Sequence, residues 1–410
     1  MRSAPSKQLR YIFLVASGAT PESGRPEYWD GTILWATPED VSSVEGYWLQ
    51  DTRRKITAEG YASCGTSLAP PDSIILTKRA PIGQLALLAK EACSNQGCLL
   101  LTPRAAGDTR FFYYWLSAQA DHLQVLGRGS TFMELSSDDL KSLQVPHPGS
   151  ENQSAIANYL DRETSQIDKL VKSKECLLEL LAEKQKTFIM SAVITGLNSA
   201  GLRDSGVSWL GGIPKNWETR RLAWLFRERD ERGEPDLPLL EVSINSGVAL
   251  REFSDDRIES TAADFNTYKV ARKGDIVFNK MRMWQGAVGV APQDGLVSPD
   301  YVVAAPTGNM SPDYAGLLFR TGSFSAECAR RSHGIVWDRL RLYWEEFRDI
   351  EVPLPPAGAQ ADIVNKIANE SKKLQAVYAA TERTIALLKE RRAALIGAAV
   401  TGEIDVETVA

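Results

Sequence analysis

Two stretches of this chain carry the same plan, and that duplication restricts its possible folds more than any other feature. After Val145 the sequence runs PHPGSENQSAIANYLDRETSQIDKL, and after Val352 it runs PLPPAGAQADIVNKIANESKKLQAV. A shift of 207 residues places Gln153 on Gln360, Ile156 on Ile363, Leu160 on Ile367 and Leu170 on Val377. Both stretches continue as long helical patterns. Stepping every 3.5 residues meets Ile156, Leu160, Glu163, Ile167, Leu170, Lys174, Leu177, Leu181, Lys184 and Phe188 in the first copy. In the second it meets Ile363, Ile367, Glu370, Leu374, Val377, Thr381, Thr384, Leu388, Arg391 and Leu395. Most of these are apolar, and a repeat of that period predicts coiled-coil-like packing, with the apolar members at the interface and the polar ones weakening the seam or fixing its register. Proline-rich approaches begin each helix, and Gly196 and Gly402 stand where each should stop.

Each helix follows a region of mixed α/β character, roughly 140 residues long. The two regions share landmarks: Leu9, Tyr11 and Phe13 match Leu222, Trp224 and Phe226, and Asp72–Lys78 resembles Gly274–Lys280. The expected fold class is α+β, with two mixed domains separated by two long antiparallel helices that form a rod. The expected segments are a first domain over 1–148, a helix over 149–198, a second domain over 199–356 and a helix over 357–404. Helices of this length span roughly 60–65 Å. Such a rod gives approximate two-fold symmetry within one chain. It suits reading two short sequences a fixed distance apart on duplex DNA. From the repeat alone, a duplicated scaffold with no DNA role is equally open.

Composition restricts the chemistry. No apolar run approaches the roughly 18 residues of a membrane span, and the first residues show no signal-peptide cleavage pattern. Five cysteines in 410 residues point to free thiols in a reducing cytoplasm. Cys93 and Cys98 are the one close pair, with no histidine beside them, so no zinc site is expected. The net charge of −5 asks any DNA-binding surface to be a local basic face. There is no phosphate-cradling loop for ATP, no amino-methyltransferase tetrapeptide and no glycine-rich cofactor loop. Adjacent acids such as Asp138-Asp139 and Asp255-Asp256 read as solvated faces.

The ordered series Ser17-Gly18-Ala19-Thr20-Pro21, Trp35-Ala36-Thr37-Pro38 and Thr77-Lys78-Arg79-Ala80-Pro81, then Gly212-Ile213-Pro214, Lys273-Gly274-Asp275 and Ser298-Pro299-Asp300-Tyr301, resembles the specificity subunits of type I restriction–modification systems. The helices over 153–195 and 360–401 resemble that family's conserved regions, and the likeness covers nearly the whole chain. It implies a non-catalytic subunit with two target recognition domains that read a split DNA site with an unread spacer. It also implies two methyltransferase subunits docked mainly on the helices, and restriction–translocase subunits joining them. S-adenosylmethionine, ATP and Mg would then act on those partners, and this chain would bind no cofactor or metal. The alternatives are a recognition module of another methyltransferase or nuclease system, a chain with its own methyltransferase activity, and a coiled-coil scaffold without DNA.

The residues expected at DNA lie in basic loops beside glycines. Lys78 and Arg79 end a strand near Gly83, and Lys280, Arg282 and Gln285 occupy the matching stretch of the second domain. Arg128 and Ser130 sit in LGRGST, and Arg330, Arg331 and His333 in ARRSHG. Arg and Lys suit phosphate oxygens and guanine edges, and glycine permits close backbone approach.

Overall fold

The computed structural model describes residues 5–79, 81–127, 133–198, 201–251, 265–334, 340–404 and 406. The chain forms two compact units, one of Met1–Glu175 with Glu382–Ala410 and the other of Cys176–Thr381. Each long helix is thus shared between the two units. Each unit holds one mixed domain, half of the helix that follows it and half of the other helix.

In the first unit the central sheet has the order Phe13–Ser17, Cys98–Pro103, Ile74–Thr77, Leu85–Leu88, Trp48–Leu49. Its inner strands read as continuous apolar runs because both faces are covered. Side chains alternate across a strand. Ile74, Leu76, Leu99 and Leu101 therefore join the core that contains the helix Thr109–Ala118. Ile75, Ala86, Leu88 and Leu100 join a second cluster with Leu34 and Val41. Ser6–Gln8 pairs with Gln144–Pro146 and closes the domain where the long helix begins.

The second unit repeats this design. Its sheet has the order Phe226–Glu228, Tyr301–Pro306, Ile276–Asn279, Val288–Val290. Glu218–Arg221 pairs with Glu351–Leu354 as the closing ribbon. Ile276 and Phe278 face one core and Val277 the other. The shared landmarks occupy equivalent places. Leu9 and Leu222 are buried, and their N–H groups donate to Leu143 and Ile350 carbonyls, each at 2.9 Å. Phe13 and Phe226 are buried opposite Pro103 and Pro306. Tyr11 and Trp224 are exposed, at 69% and 74%.

The long helices are Ser150–Thr195 and Ala357–Thr401, followed by Gly196 and Gly402 with φ of +76° and +80°. Within each unit their halves run antiparallel. In the first, Asp168 pairs with Arg392 at 2.9 Å and Glu175 with Lys389 at 3.0 Å. In the second, Gln185 Nε2 donates to Ser371 Oγ at 3.2 Å, and Ala192 and Val193 share a core with Ile363 and Ile367.

The seam differs from the expected one at alternate positions. Leu160, Ile167, Ile363 and Ile367 are buried, and Leu181, Leu374, Leu388 and Leu395 half-buried, as a seam requires. Ile156 is half-buried beside the seam. Leu170, Leu177 and Val377 are exposed, at 51%, 36% and 47%. Their places are taken one residue later by Ala157, Val171, Leu178 and Tyr378. Thr164 fills the corresponding place in the turn between Leu160 and Ile167. Ala157 and Thr164 fill seam positions with small or polar side chains, so a search for large apolar residues settles on their neighbours.

Gln153 and Gln360, each 1% exposed, fix both helix starts in the same way. Gln153 Oε1 accepts from Asp108 N–H (3.1 Å), and Gln360 Oε1 from Ser311 N–H (2.7 Å). Their amide nitrogens donate to Pro148 and Pro355 carbonyls, at 2.8 and 2.9 Å. Each glutamine thus links the proline approach of its long helix to the start of the domain's own helix. A buried amide with these partners fixes geometry, because any other placement leaves polar groups unpaired.

All five cysteines are free thiols, with Cys93, Cys98 and Cys328 buried. Burial pushes the thiols of Cys93 and Cys98 up to about 12.

Candidate nucleic-acid interface

The basic loop of the first unit follows the central strand Ile74–Thr77. Thr77 folds it back: its hydroxyl donates to the Pro81 carbonyl at 2.6 Å, and its carbonyl accepts from Gly83 N–H at 2.9 Å. Gly83 holds φ +89°, which a residue with a Cβ rarely adopts. Lys78 lies inside this turn. Its carbonyl accepts from Leu135 N–H (2.8 Å), and its ammonium pairs with Glu134 (2.8 Å) and donates to Ser17 Oγ (3.2 Å). Arg79 pairs with the same Glu134 at 3.0 Å. Lys78, followed by burial opposing it and by Arg79, holds the Glu134 carboxyl below its ordinary range. Both expected DNA-contacting cations are therefore engaged by one carboxylate, and the Lys78 side chain is only 13% exposed.

The second unit departs from this. After Ile276–Asn279 the chain makes a short 3₁₀ turn over Met283–Gln285, ended by Gly286 at φ +90°. Met283 is buried and anchors the turn, while Arg282 and Gln285 point to solvent and Lys280 is half-buried. Trp284 donates its indole N–H to the Met281 carbonyl at 2.9 Å. Among the described residues, no carboxylate lies within ion-pair distance of Lys280 or Arg282.

Arg330 and Arg331 end the helix Gly322–Arg331, where cations suit the helix dipole. Both hydrogen-bond the buried Glu327, Arg330 through two bonds of 2.7 Å. Burial alone would raise the Glu327 carboxyl, but the two guanidinium groups outweigh it and hold the carboxyl below its usual value. His333 Nε2 lies 3.0 Å from Glu346, and its backbone exchanges two hydrogen bonds with Arg341, at 2.9 and 2.8 Å. The next residue, Leu342, donates its N–H to the Lys280 carbonyl at 2.9 Å. The fold therefore brings the Lys280 loop and the His333 segment together. Arg128 and Ser130 lie outside the described residues.

Arg341 was not among the expected residues. It is exposed and, among the described residues, forms no ion pair. Its motif, WDRLRLYW, gives no local signal, and only its alignment with Glu134 in the repeat would have drawn it out. Elsewhere in this unit Arg272 binds Glu231, Glu234 and Asp294, and Arg229 binds Asp275 at 2.8 Å. Those arginines are spent on internal pairing. Together, the exposed cations and Gln285 around Lys280 can meet phosphate oxygens and base edges.

Among the described residues, no group of three or more His, Cys, Asp or Glu could hold a metal ion, and no helix is long and apolar enough to cross a membrane.

Residues 6–180 match the family model described as the type I restriction modification DNA specificity domain. The type I restriction enzyme MjaIX specificity subunit of Methanocaldococcus jannaschii is 25% identical, covering 98% of this chain and 93% of its own. The EcoprrI specificity subunit of Escherichia coli is 29% identical over 166 residues, covering 38% of this chain and 41% of its own. Among solved structures, a chain from work on complex assembly and conformational transition of the type I R-M system has a TM-score of 0.67 at 16% identity, covering 98% of this chain and 99% of its own. The HsdS subunit from Thermoanaerobacter tengcongensis has a TM-score of 0.54 at 15% identity, covering 98% of both chains. These two share the fold.

Proposed function

We propose that this chain is a specificity subunit of a type I restriction–modification system and that its two units each read one half of a split DNA target, with an unread spacer between the halves. Specificity subunits are non-catalytic, and this one would act by placing partner subunits on DNA. The observation that carries the reading is the duplicated design. Each unit repeats the order of four sheet strands, one glutamine-fixed helix start and one loop after an inner strand. In the second unit that loop is cationic although the chain as a whole is acidic, as backbone contact with DNA requires.

The same duplication supports two docked methyltransferase subunits. Each unit exposes an aromatic at the same place, Tyr11 or Trp224, and the long helices leave Leu170, Leu177, Leu180, Val377 and Leu387 exposed outside their seam. Apolar side chains on solvent-facing helix positions suit partner contact. Restriction subunits would join that complex. S-adenosylmethionine, ATP and magnesium would serve the partners' chemistry.

Selection from randomised duplexes tests the reading, using this chain in complex with its methyltransferase subunit. A consensus of two short blocks with a fixed gap supports it. One continuous block, or no enrichment from a soluble complex, overturns it.

A further inference from the structure

Equivalent positions of the two units carry opposite charge. Lys78 and Lys280 each follow an inner strand of their sheet, and each carbonyl accepts from a leucine N–H, Leu135 in one unit and Leu342 in the other, at 2.8 and 2.9 Å. The residue before that leucine therefore holds the same place in both. It is Glu134 in the first unit and Arg341 in the second.

The consequence differs on the two sides. Glu134 engages Lys78 and Arg79, which leaves a net charge of +1 over the three side chains. Lys280, Arg282 and Arg341 form no ion pair among the described residues, so these three side chains carry +3, with Met281 standing at the place of Arg79. Of the carboxylates nearby in the second unit, Glu327 is engaged by Arg330 and Arg331, and Glu346 has one oxygen 3.0 Å from His333 Nε2.

We propose that the two units hold DNA unequally: Arg341 with Lys280 and Arg282 gives the second unit most of the salt-dependent backbone affinity, while Glu134 screens the equivalent cations of the first. The inference rests on the DNA-reading function proposed above. A screened unit adds little nonspecific attraction, so its binding depends more on the bases it meets. Glu134 also places a carboxylate oxygen at this loop, a group able to accept from cytosine N4. The second unit would keep the complex on DNA of any sequence.

Salt titration separates these roles without knowledge of the target. The full chain in complex with its methyltransferase subunit is titrated with a fluorescent random-sequence duplex between about 50 and 200 mM salt. Each phosphate contact contributes about 0.9 to the slope of log affinity against log salt. Arg341→Gln should flatten the slope by about 1, and Arg341→Glu, which copies the first unit's arrangement, by about 2. Glu134→Gln should steepen it by about 1, by freeing a cation. Arg341 is exposed and unpaired among the described residues, so its variants keep the test open if Glu134→Gln fails to fold. Wild-type slope in both Arg341 variants overturns the inference while leaving the DNA-reading function standing. Absence of duplex binding by the wild-type complex at every salt concentration overturns that function, and this inference with it.

Discussion

Leu170 and Val171 are adjacent on the first long helix, and the structure ranks them opposite to their size. Val171 lies in the seam at 8% exposure, whereas Leu170 is 51% exposed. Val171→Ala removes two buried methyl groups, worth about 0.8 kcal/mol each. An incompletely collapsed cavity adds to this, for a loss of about 1.5–2.5 kcal/mol. Leu170→Ala removes a larger side chain that already meets water, and alanine is the better helix former, so the loss should stay below about 0.5 kcal/mol. Urea unfolding of the full chain, followed by circular dichroism, reads the difference. With a slope of about 2–3 kcal/mol per molar urea, Val171→Ala should lower the midpoint of its transition by about 0.5–1 M. Leu170→Ala should leave that midpoint nearly in place. A larger drop for Leu170→Ala than for Val171→Ala would refute the seam register described here and restore the 3.5-residue series that starts at Ile156.

Gln153→Ala and Gln360→Ala should each destabilise the chain by about 1–3 kcal/mol, because each leaves buried backbone groups without a partner. Thermal melting that moves for one glutamine and not the other would break the claimed equivalence of the two units. The pairing of Lys78 depresses the folded-state pKa of Glu134, so its contribution to stability is present at neutral pH and is lost as the pH falls through that depressed value. Glu134→Gln should therefore cost stability at pH 7 and lose its effect under strongly acidic conditions. An effect independent of pH would assign the loss to packing instead. Removing 171–177 and 378–384, one heptad from each long helix, should change the preferred spacer of the target while leaving both half-sites intact. An unchanged spacer in the selected sequences would separate spacer length from the helices.

The repeat made much of this fold legible. The shift of 207 residues fixed by Gln153 and Gln360 runs through both helices, and the same shift relates Leu143 to Ile350 and Leu135 to Leu342. The glycine stops and the strand at Ile74–Thr77 follow from local chemistry that the sequence displays. The seam register was hidden because Ala157 and Thr164 fill core positions with small or polar side chains, while Leu170 and Leu177 face outward. The state of Lys78 was hidden for a different reason. Its counter-ion, Glu134, is far away in sequence, and only the fold brings the two within 2.8 Å. Arg330 and Arg331 stand close to their partner Glu327 in sequence, yet a basic cluster read as charge alone does not reveal that one buried carboxylate engages both. In the second unit, by contrast, Lys280 and Arg282 form no ion pair among the described residues. Their neighbour Arg341 needed the backbone pairing to reveal it.

Single-molecule sequencing of adenine methylation tests the central claim most directly. This chain would be co-expressed with its methyltransferase subunit in a host lacking methylases of its own. The account predicts one split motif, methylated on an adenine in each half and separated by a gap of constant length. A soluble complex that leaves the genome unmethylated, or that methylates a single continuous motif, would contradict it.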